Sequence, residues 1–328
     1  MRALIQSLRR ASVCFCALLI LSPAFVHAKE YPSAPITLVV PFPGGGGTDS
    51  IGRAVAQALS QKLGQPVIVE NRPGATGALG TLHVVRAEPD GYTLLLGSNG
   101  TISINPSLDK KLPYNPIRDL VPVSTIASVP FLLVANNEFA ANNIQELIQI
   151  AKAKPGVVNF ASTGTGSTNH LVGEMLKSKA QLDMVHIPYK GAAPAMNDVA
   201  GGTVQFMSGD INTLLPMIQG GKLKPLAVTG SKRSALLPKV PTVSESGIPD
   251  FEANGWFGLY APAGTPENVI HKLEQAMSQA LKDPEVINRV NALGGVLISY
   301  TGEKFRMFQE KERIRWKEII QANNIRLN

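Results

Sequence analysis

The sequence predicts an α/β protein of two domains. Short apolar runs bounded by turns alternate with runs of helical period throughout the chain after the N-terminal leader. Such alternation builds parallel sheets covered by helices. The length of 328 residues is enough for two ordinary domains. Two irregular, Pro-rich stretches, 112–130 and 238–251, lie about one domain length apart. The middle of the chain therefore reads as a domain inserted into one made of both ends.

The first 28 residues read as a leader. Arg2, Arg9 and Arg10 form a basic start, residues 11–21 are apolar but short for a bilayer, and Val26-His27-Ala28 precedes a plausible cut after Ala28. Cys14 and Cys16 are the only cysteines and both lie in this leader. A mature chain without them has no disulfide, thiol nucleophile or thiolate metal site. Cleavage removes three of the 31 basic residues and none of the 24 acidic ones, so the mature charge is 31 − 3 − 24 = +4. That mild balance suits small anions. No basic stripe interleaved with aromatics suggests nucleic acid. The expected product is a soluble exported protein.

The mature chain opens with the strand Ile36–Val40 and the turn Pro41-Phe42-Pro43-Gly44-Gly45-Gly46-Gly47-Thr48-Asp49-Ser50. A helix follows, with Thr48 or Asp49 as N-cap, a buried stripe of Ile51, Ala54, Val55, Ala58, Leu59 and Leu63, and Gly64 as its stop. Residues 67–70 are a strand, 71–74 a turn, and 76–87 a helix. The apolar strand 93–97 ends in a polar turn, Ser98-Asn99-Gly100-Thr101. Beyond the first crossing, 131–134 opens the second sheet and 144–154 is a helix. Strand 157–161 runs into Ser162-Thr163-Gly164-Thr165-Gly166-Ser167-Thr168-Asn169-His170 and a helix over 169–179, repeating the layout of the opening unit. Strands at 184–187, 204–208 and 226–229 alternate with helices at 194–200 and up to Gln219. After the return crossing come a strand at 256–261 and helices at 266–281, 285–293 and 302 onward.

The two Gly-rich turns are the strongest functional signal. Each sits where a strand becomes a helix, so the free N–H groups of the helix point back into the turn with partial positive charge behind them. Such a turn binds an anion without Lys or Arg. Each helix end contributes about 0.3–1 kcal/mol toward an anion, and charge-assisted hydrogen bonds add about 1.5–3 kcal/mol each. Micromolar affinity, about −8 kcal/mol, then requires both turns in one cleft that also excludes water.

Other chemistries fit poorly. A P-loop needs Lys after its last Gly, where Thr48 and Asp49 stand. A dinucleotide fingerprint lacks its third Gly after Gly164 and Gly166. His83, His170, His186 and His271 show no metal-ligand spacing. Ser167 and His170 have no nucleophile elbow around them. Asp49 is expected to cap the first helix or hold the glycine turn, because a carboxylate repels a bound anion. Asp210, at a strand's carboxyl end, is open to two roles: accepting from a ligand amine or hydroxyl, or tying a hinge.

Several motifs, in this order, resemble the solute receptors of tripartite tricarboxylate transporters, the Bug family. They are Tyr31-Pro32-x-x-Pro35-Ile36, the Val40 to Asp49 turn, Val69-Glu70-Asn71-Arg72-Pro73-Gly74-Ala75, Pro89-Asp90-Gly91-Tyr92-Thr93-Leu94, Tyr114-Asn115-Pro116, Gly164-Thr165-Gly166-Ser167, His186-Ile187-Pro188-Tyr189-Lys190-Gly191 and Pro241-Thr242-Val243. The resemblance implies a periplasmic binding protein type II fold, two α/β lobes joined by a hinge and closing on a small carboxylate. It places lobe 1 at 29–128 and 252–328, and lobe 2 at 129–251. Carried over by motif, the carboxylate grip falls on Phe42, Gly46, Gly47, Thr48 and Asp49, with Thr163, Gly166, Ser167 and His170 opposite. Ser98, Asn99 and Asp210 would face the variable end of the ligand. The expectation is thus a monomeric periplasmic receptor without cofactor, metal or catalysis. It would deliver a di- or tricarboxylate, amino acid or aromatic acid to inner-membrane transporter subunits. A sensor subunit and a secreted cleft enzyme are the competing readings.

Overall fold

Strand β1 (Ile36–Val40) lies in parallel between β2 (Val67–Asn71) and β3 (Thr93–Ser98). Helices α1 (Gly47–Leu63) and α2 (Ala78–Val85) supply the crossovers. The computed structural model describes residues 30–326, and the chain from Ala34 onward forms one compact unit. The leader, its two cysteines and the cut after Ala28 lie outside the described residues.

The central element is β4 (Leu120–Asn136), a strand of 17 residues. Its first part, Leu120 to Pro130, runs antiparallel to β9 (Asn254–Pro262), which in turn pairs with β3. From Phe131 onward it pairs instead with β7 (Phe206–Asp210) and β8 (Leu223–Val228). Strand β5 (Asn159–Ser162) lies in parallel between β6 (Val185–Pro188) and β7. The short β10 (Val296–Leu297) also pairs with β4. The sheet order is β2-β1-β3-β9-β4-β7-β5-β6, so β4 and β9 join two parallel halves. In the second half the helices are α3 (Ile144–Ala153), α4 (Thr168–Ala180), α5 (Ala192–Ala200) and α6 (Ile211–Gln219). The chain ends with α7 (Glu267–Ala280), α8 (Pro284–Ala292) and α9 (Gly302–Ala322).

Three readings of the sequence need correction. The stretch 112–130 is not an irregular crossing beyond its first residues, because β4 starts at Leu120 and carries Pro122 and Pro130 within it. Proline lacks the N–H that a ladder uses. Register shifts after Pro122 and Thr125 accommodate the irregularity, and Pro130 stands where β4 leaves β9. The sheets are also mixed rather than parallel throughout, because both joining strands run antiparallel to their neighbours. Finally, Ser98 to Thr101 is not a simple turn: it enters a π-helical turn, Gly100–Ile104, followed by a short helix, Asn105–Leu108.

The alternation along β4 explains how one strand serves two faces. Phe131, Leu133 and Ala135 enter a core with Phe160, Leu171, Met175 and Phe206. Leu132 and Val134 point the other way, among Ala161, Val199, Met207 and Ile211. A third cluster, with Val39, Leu95, Trp256 and Tyr260, fills the first half. Helix α9 spans the junction: Phe305 belongs to the first-half cluster, whereas Trp316 and Ile320 belong to the second.

Where β4 changes partner, one buried hydroxyl just beyond β8 ties β4 to the residue that precedes β9. Thr229 Oγ1 accepts from Phe131 N–H at 2.8 Å and donates to Ala253 O at 2.8 Å. Its backbone is paired as well, with Phe131 O at 2.9 Å and Ala253 N at 3.1 Å. Thr229→Val keeps the shape but leaves a buried N–H and carbonyl without that partner. The expected loss is about 1–3 kcal/mol of unfolding free energy, read by urea denaturation. An unchanged midpoint would show that the stitch is not stabilising.

Candidate functional site

Strands β1 and β5 both point their carboxyl ends at one cleft, and each passes through a glycine turn into a helix, α1 or α4. Open α/β sheets place ligands at such strand ends. The cleft measures about 310 Å³. Phe42, Gly47 and Thr48 line it from the first turn, and Thr163, Ser167, Thr168 and Asn169 from the second. Ser98, Asn99, Gly100 and Thr76 add polar wall in the first half, with Asp210, Asn212 and Thr213 in the second. Val129, Phe131, Gly255, Phe257 and Leu293 complete it, bringing both joining strands β4 and β9 to its floor.

The first turn leaves its helix end open. The N-cap is Gly46, with no side-chain capping bond, rather than Thr48 or Asp49. The N–H groups of Gly47, Thr48 and Asp49 have no acceptor within the helix, as in any first turn. Asp49 does not line the cleft; it is buried and faces back into the loop. Its Oδ2 accepts from Gly45 N–H and Arg53 Nε, both at 2.9 Å, and its Oδ1 accepts from Asn71 Nδ2 at 2.9 Å. Asn71 Nδ2 also donates to Phe42 O at 3.1 Å. Of the two roles foreseen for Asp49, this is the one that holds the glycine turn. Burial opposes its ionisation, but the bonds from Arg53, Gly45 and Asn71 outweigh that and depress its pKa below the usual 3.8.

The second turn is held from behind in a similar way. Gly164 and Gly166 adopt φ of 134° and 79°, values that L side chains rarely adopt. Ser167 is the N-cap of α4 and accepts from His170 N–H at 3.2 Å. Gly166 N–H donates to His170 Nδ1 at 3.1 Å. His170 is buried and stacks on His186 with ring centroids 3.7 Å apart. Burial, aided by His170, pushes the His186 pKa down to about 4. A neutral His186 ring meets Ser162 Oγ at 2.7 Å, and that hydroxyl also donates to Gly164 O at 3.1 Å. Thr163 Oγ1 donates to Asn169 Oδ1 at 3.1 Å, and Asn169 Nδ2 to Ser208 O at 3.1 Å.

Eight of the twelve residues singled out from sequence therefore line the cleft: Phe42, Gly47, Thr48, Ser98, Asn99, Thr163, Ser167 and Asp210. Asp49, Gly166 and His170 stand behind it and shape the turns, and Gly46, the exposed N-cap of α1, is not among the lining either. Sequence reading passed over Thr76, Asn212 and Thr213, and the apolar floor of Val129, Phe131 and Phe257, while Thr168 and Asn169 lay within the second turn but outside the carried-over set. Thr76 had a readable signal in the Gly74-Ala75-Thr76-Gly77 run, where Ala75 and Thr76 both take positive φ. The floor residues had none, because they look like ordinary strand core. Among the described residues a hydrogen bond crosses the cleft, from Asn99 Nδ2 to Thr168 Oγ1 at 3.3 Å.

A sheet in two halves joined by two strands, with a polar cleft at the junction, is the architecture of the type II periplasmic binding proteins. The chain belongs to the tripartite tricarboxylate transporter family receptors, whose family model matches residues 51–325. It is similar to protein BugT of Bordetella pertussis, at 38% identity over 92% of this chain and 93% of that one. The structure of the periplasmic binding protein BugD superposes with a TM-score of 0.75 at 37% identity, covering 90% of this chain and 99% of that one. R. palustris Rpa4515 with adipate gives a TM-score of 0.78 at 31% identity, covering 90% and 99%.

The Asp49 network gives a signed pH prediction. A depressed carboxyl pKa contributes stability that is fully present above the unfolded value, near 3.8, and is lost as pH falls through the folded value. Asp49→Asn is expected to unfold more easily at pH 7 by about 1–3 kcal/mol, since Arg53 and Gly45 lose a charged partner. Wild type and variant should converge as the pH is taken below 3.8. Parallel chemical melts at several pH values measure this, and coincident curves at pH 7 would contradict it.

Proposed function

We propose that the protein is a periplasmic receptor that captures a small carboxylate and delivers it to the membrane subunits of a tripartite tricarboxylate-type transporter. The observation that carries this is the pairing of two strand–turn–helix units, α1 and α4, on one cleft of about 310 Å³. No Lys, Arg or His is among its lining residues. The ligand carboxylate is then held by the first-turn N–H groups of Gly47 and Thr48, and of Thr168 and Asn169 opposite. The hydroxyls of Thr48, Thr163 and Ser167 add to the grip, with Ser98 and Asn99 beside them. Backbone donors at a helix start carry partial positive charge without a titrating side chain. The adipate bound to Rpa4515 supports a carboxylate of this size.

Gly46, Asp49, Gly166 and His170 act by shaping the turns. The lobes comprise 29–128 with 252–328, and 129–251, and they close on the ligand as a monomer. Ligand that touches both sides favours the closed form by its differential affinity, and the Asn99 to Thr168 hydrogen bond joins the two walls. Export follows from the leader, with cleavage after Ala28. The cleft lining holds a single titratable side chain, Asp210, which suits binding better than acid–base chemistry.

Isothermal calorimetry of the mature protein against small mono-, di- and tricarboxylates, amino acids and aromatic acids tests this. At least one is expected to bind with micromolar or tighter affinity, with a compaction visible by small-angle scattering. Absence of binding by every small acid, with no change in shape, would overturn the proposal.

A further inference from the structure

Asp210 is the one charged group among the cleft-lining residues, and among the described residues no ion pair or side-chain hydrogen bond neutralises it. It ends β7 opposite Phe131 of β4 and occupies the N-cap position of α6, yet its side chain makes no capping bond. The side chain is exposed to the cleft interior, while the surrounding walls crowd it enough that burial raises its pKa. Its neighbours in the lining are neutral: Asn212 and Thr213 on its own helix, Phe131 on β4, and Thr168 and Asn169 on α4. No second titratable group lines the cleft from any of these elements.

We propose that Asp210 selects the cargo: the receptor takes carboxylates that also carry an ammonium or hydroxyl donor, and disfavours unsubstituted dicarboxylates. The inference rests on the receptor reading given above. A carboxylate shut away from water is costly unless it gains a hydrogen-bond partner. When the cleft closes, that partner has to come from the ligand, because the lining supplies no cation. An ammonium gives a charge-assisted bond and a hydroxyl a neutral one. A second free carboxylate instead meets a like charge, and one of the two has to take up a proton before the cleft can close. The cargo class differs in this respect from the plain dicarboxylate found with Rpa4515.

The test is a calorimetric panel at pH 7.5 on wild type, Asp210→Asn and Asp210→Ser. The panel comprises the 2- and ω-amino acids, the 2- and ω-hydroxy acids and the unsubstituted dicarboxylates of three to six carbons. In wild type an amino or hydroxy acid is expected to bind at least tenfold more tightly than the dicarboxylate of equal length. Asp210→Asn should weaken the amino acid at least tenfold and tighten the dicarboxylate. In wild type, lowering the pH should weaken the amino acid and strengthen the dicarboxylate. Equal or tighter binding of unsubstituted dicarboxylates by wild type would overturn the selectivity while leaving the receptor reading intact. Loss of all binding to every acid in wild type would overturn both. The wild-type ranking decides the matter even where a variant folds poorly.

Discussion

A helix cannot satisfy the N–H groups of its own first turn. In this protein that constraint organises the fold around the cleft. Helices α1 and α4 both begin at the cleft wall, at the carboxyl ends of β1 and β5. One starts from a glycine that brings no capping side chain, and the other from a serine that satisfies only His170 N–H. The remaining donors face a polar space bordered by hydroxyls and amides. The proposed anion grip thus draws on backbone direction rather than on side-chain charge.

Loops rich in glycine are costly to order, and each turn is fixed by a network on its far side. Asp49, Arg53 and Asn71 bind the first loop to the end of β2. His170, His186 and Ser162 hold the second against the β5–β6 pair. The ionised Asp49 and Arg53 are not among the cleft lining, so they hold the first loop without adding charge there. Strand β4, alone among the named strands, pairs in both halves and so sets the distance between the two turns, with β9 beside it in the first half. The same strands supply Val129, Phe131 and Phe257 to the cleft floor, which couples the join to the site.

Much of this was legible in the chain. Ile36–Val40, the stripe of α1 with Gly64 in the left-handed region behind it, and the second strand–turn–helix unit all lie close to where periodicity and turn chemistry put them. What escaped was whatever depends on partners distant in sequence. Pro122 and Pro130 argued against a strand, and only the pairing with β9 makes one there. Ser98 to Thr101 looked like a turn because buried neighbours, rather than local preference, hold the π-helical turn that follows. His170 was noticed for its place beside the turn, yet its Nδ1 faces Gly166 and its ring faces His186, contacts that no local spacing specifies. Thr229 carried no signal at all, since its stitch exists only once residues 131 and 253 are brought to it.

The central claim is that both glycine turns grip the same carboxylate through backbone donors. Amide chemical shifts of ¹⁵N-labelled mature protein, followed while a bound carboxylate is titrated in, measure this directly. The amides of Gly47 and Thr48 should move together with those of Thr168 and Asn169, along one common saturation curve. Shifts confined to one turn, or saturating at different ligand concentrations for the two, would contradict a shared clamp.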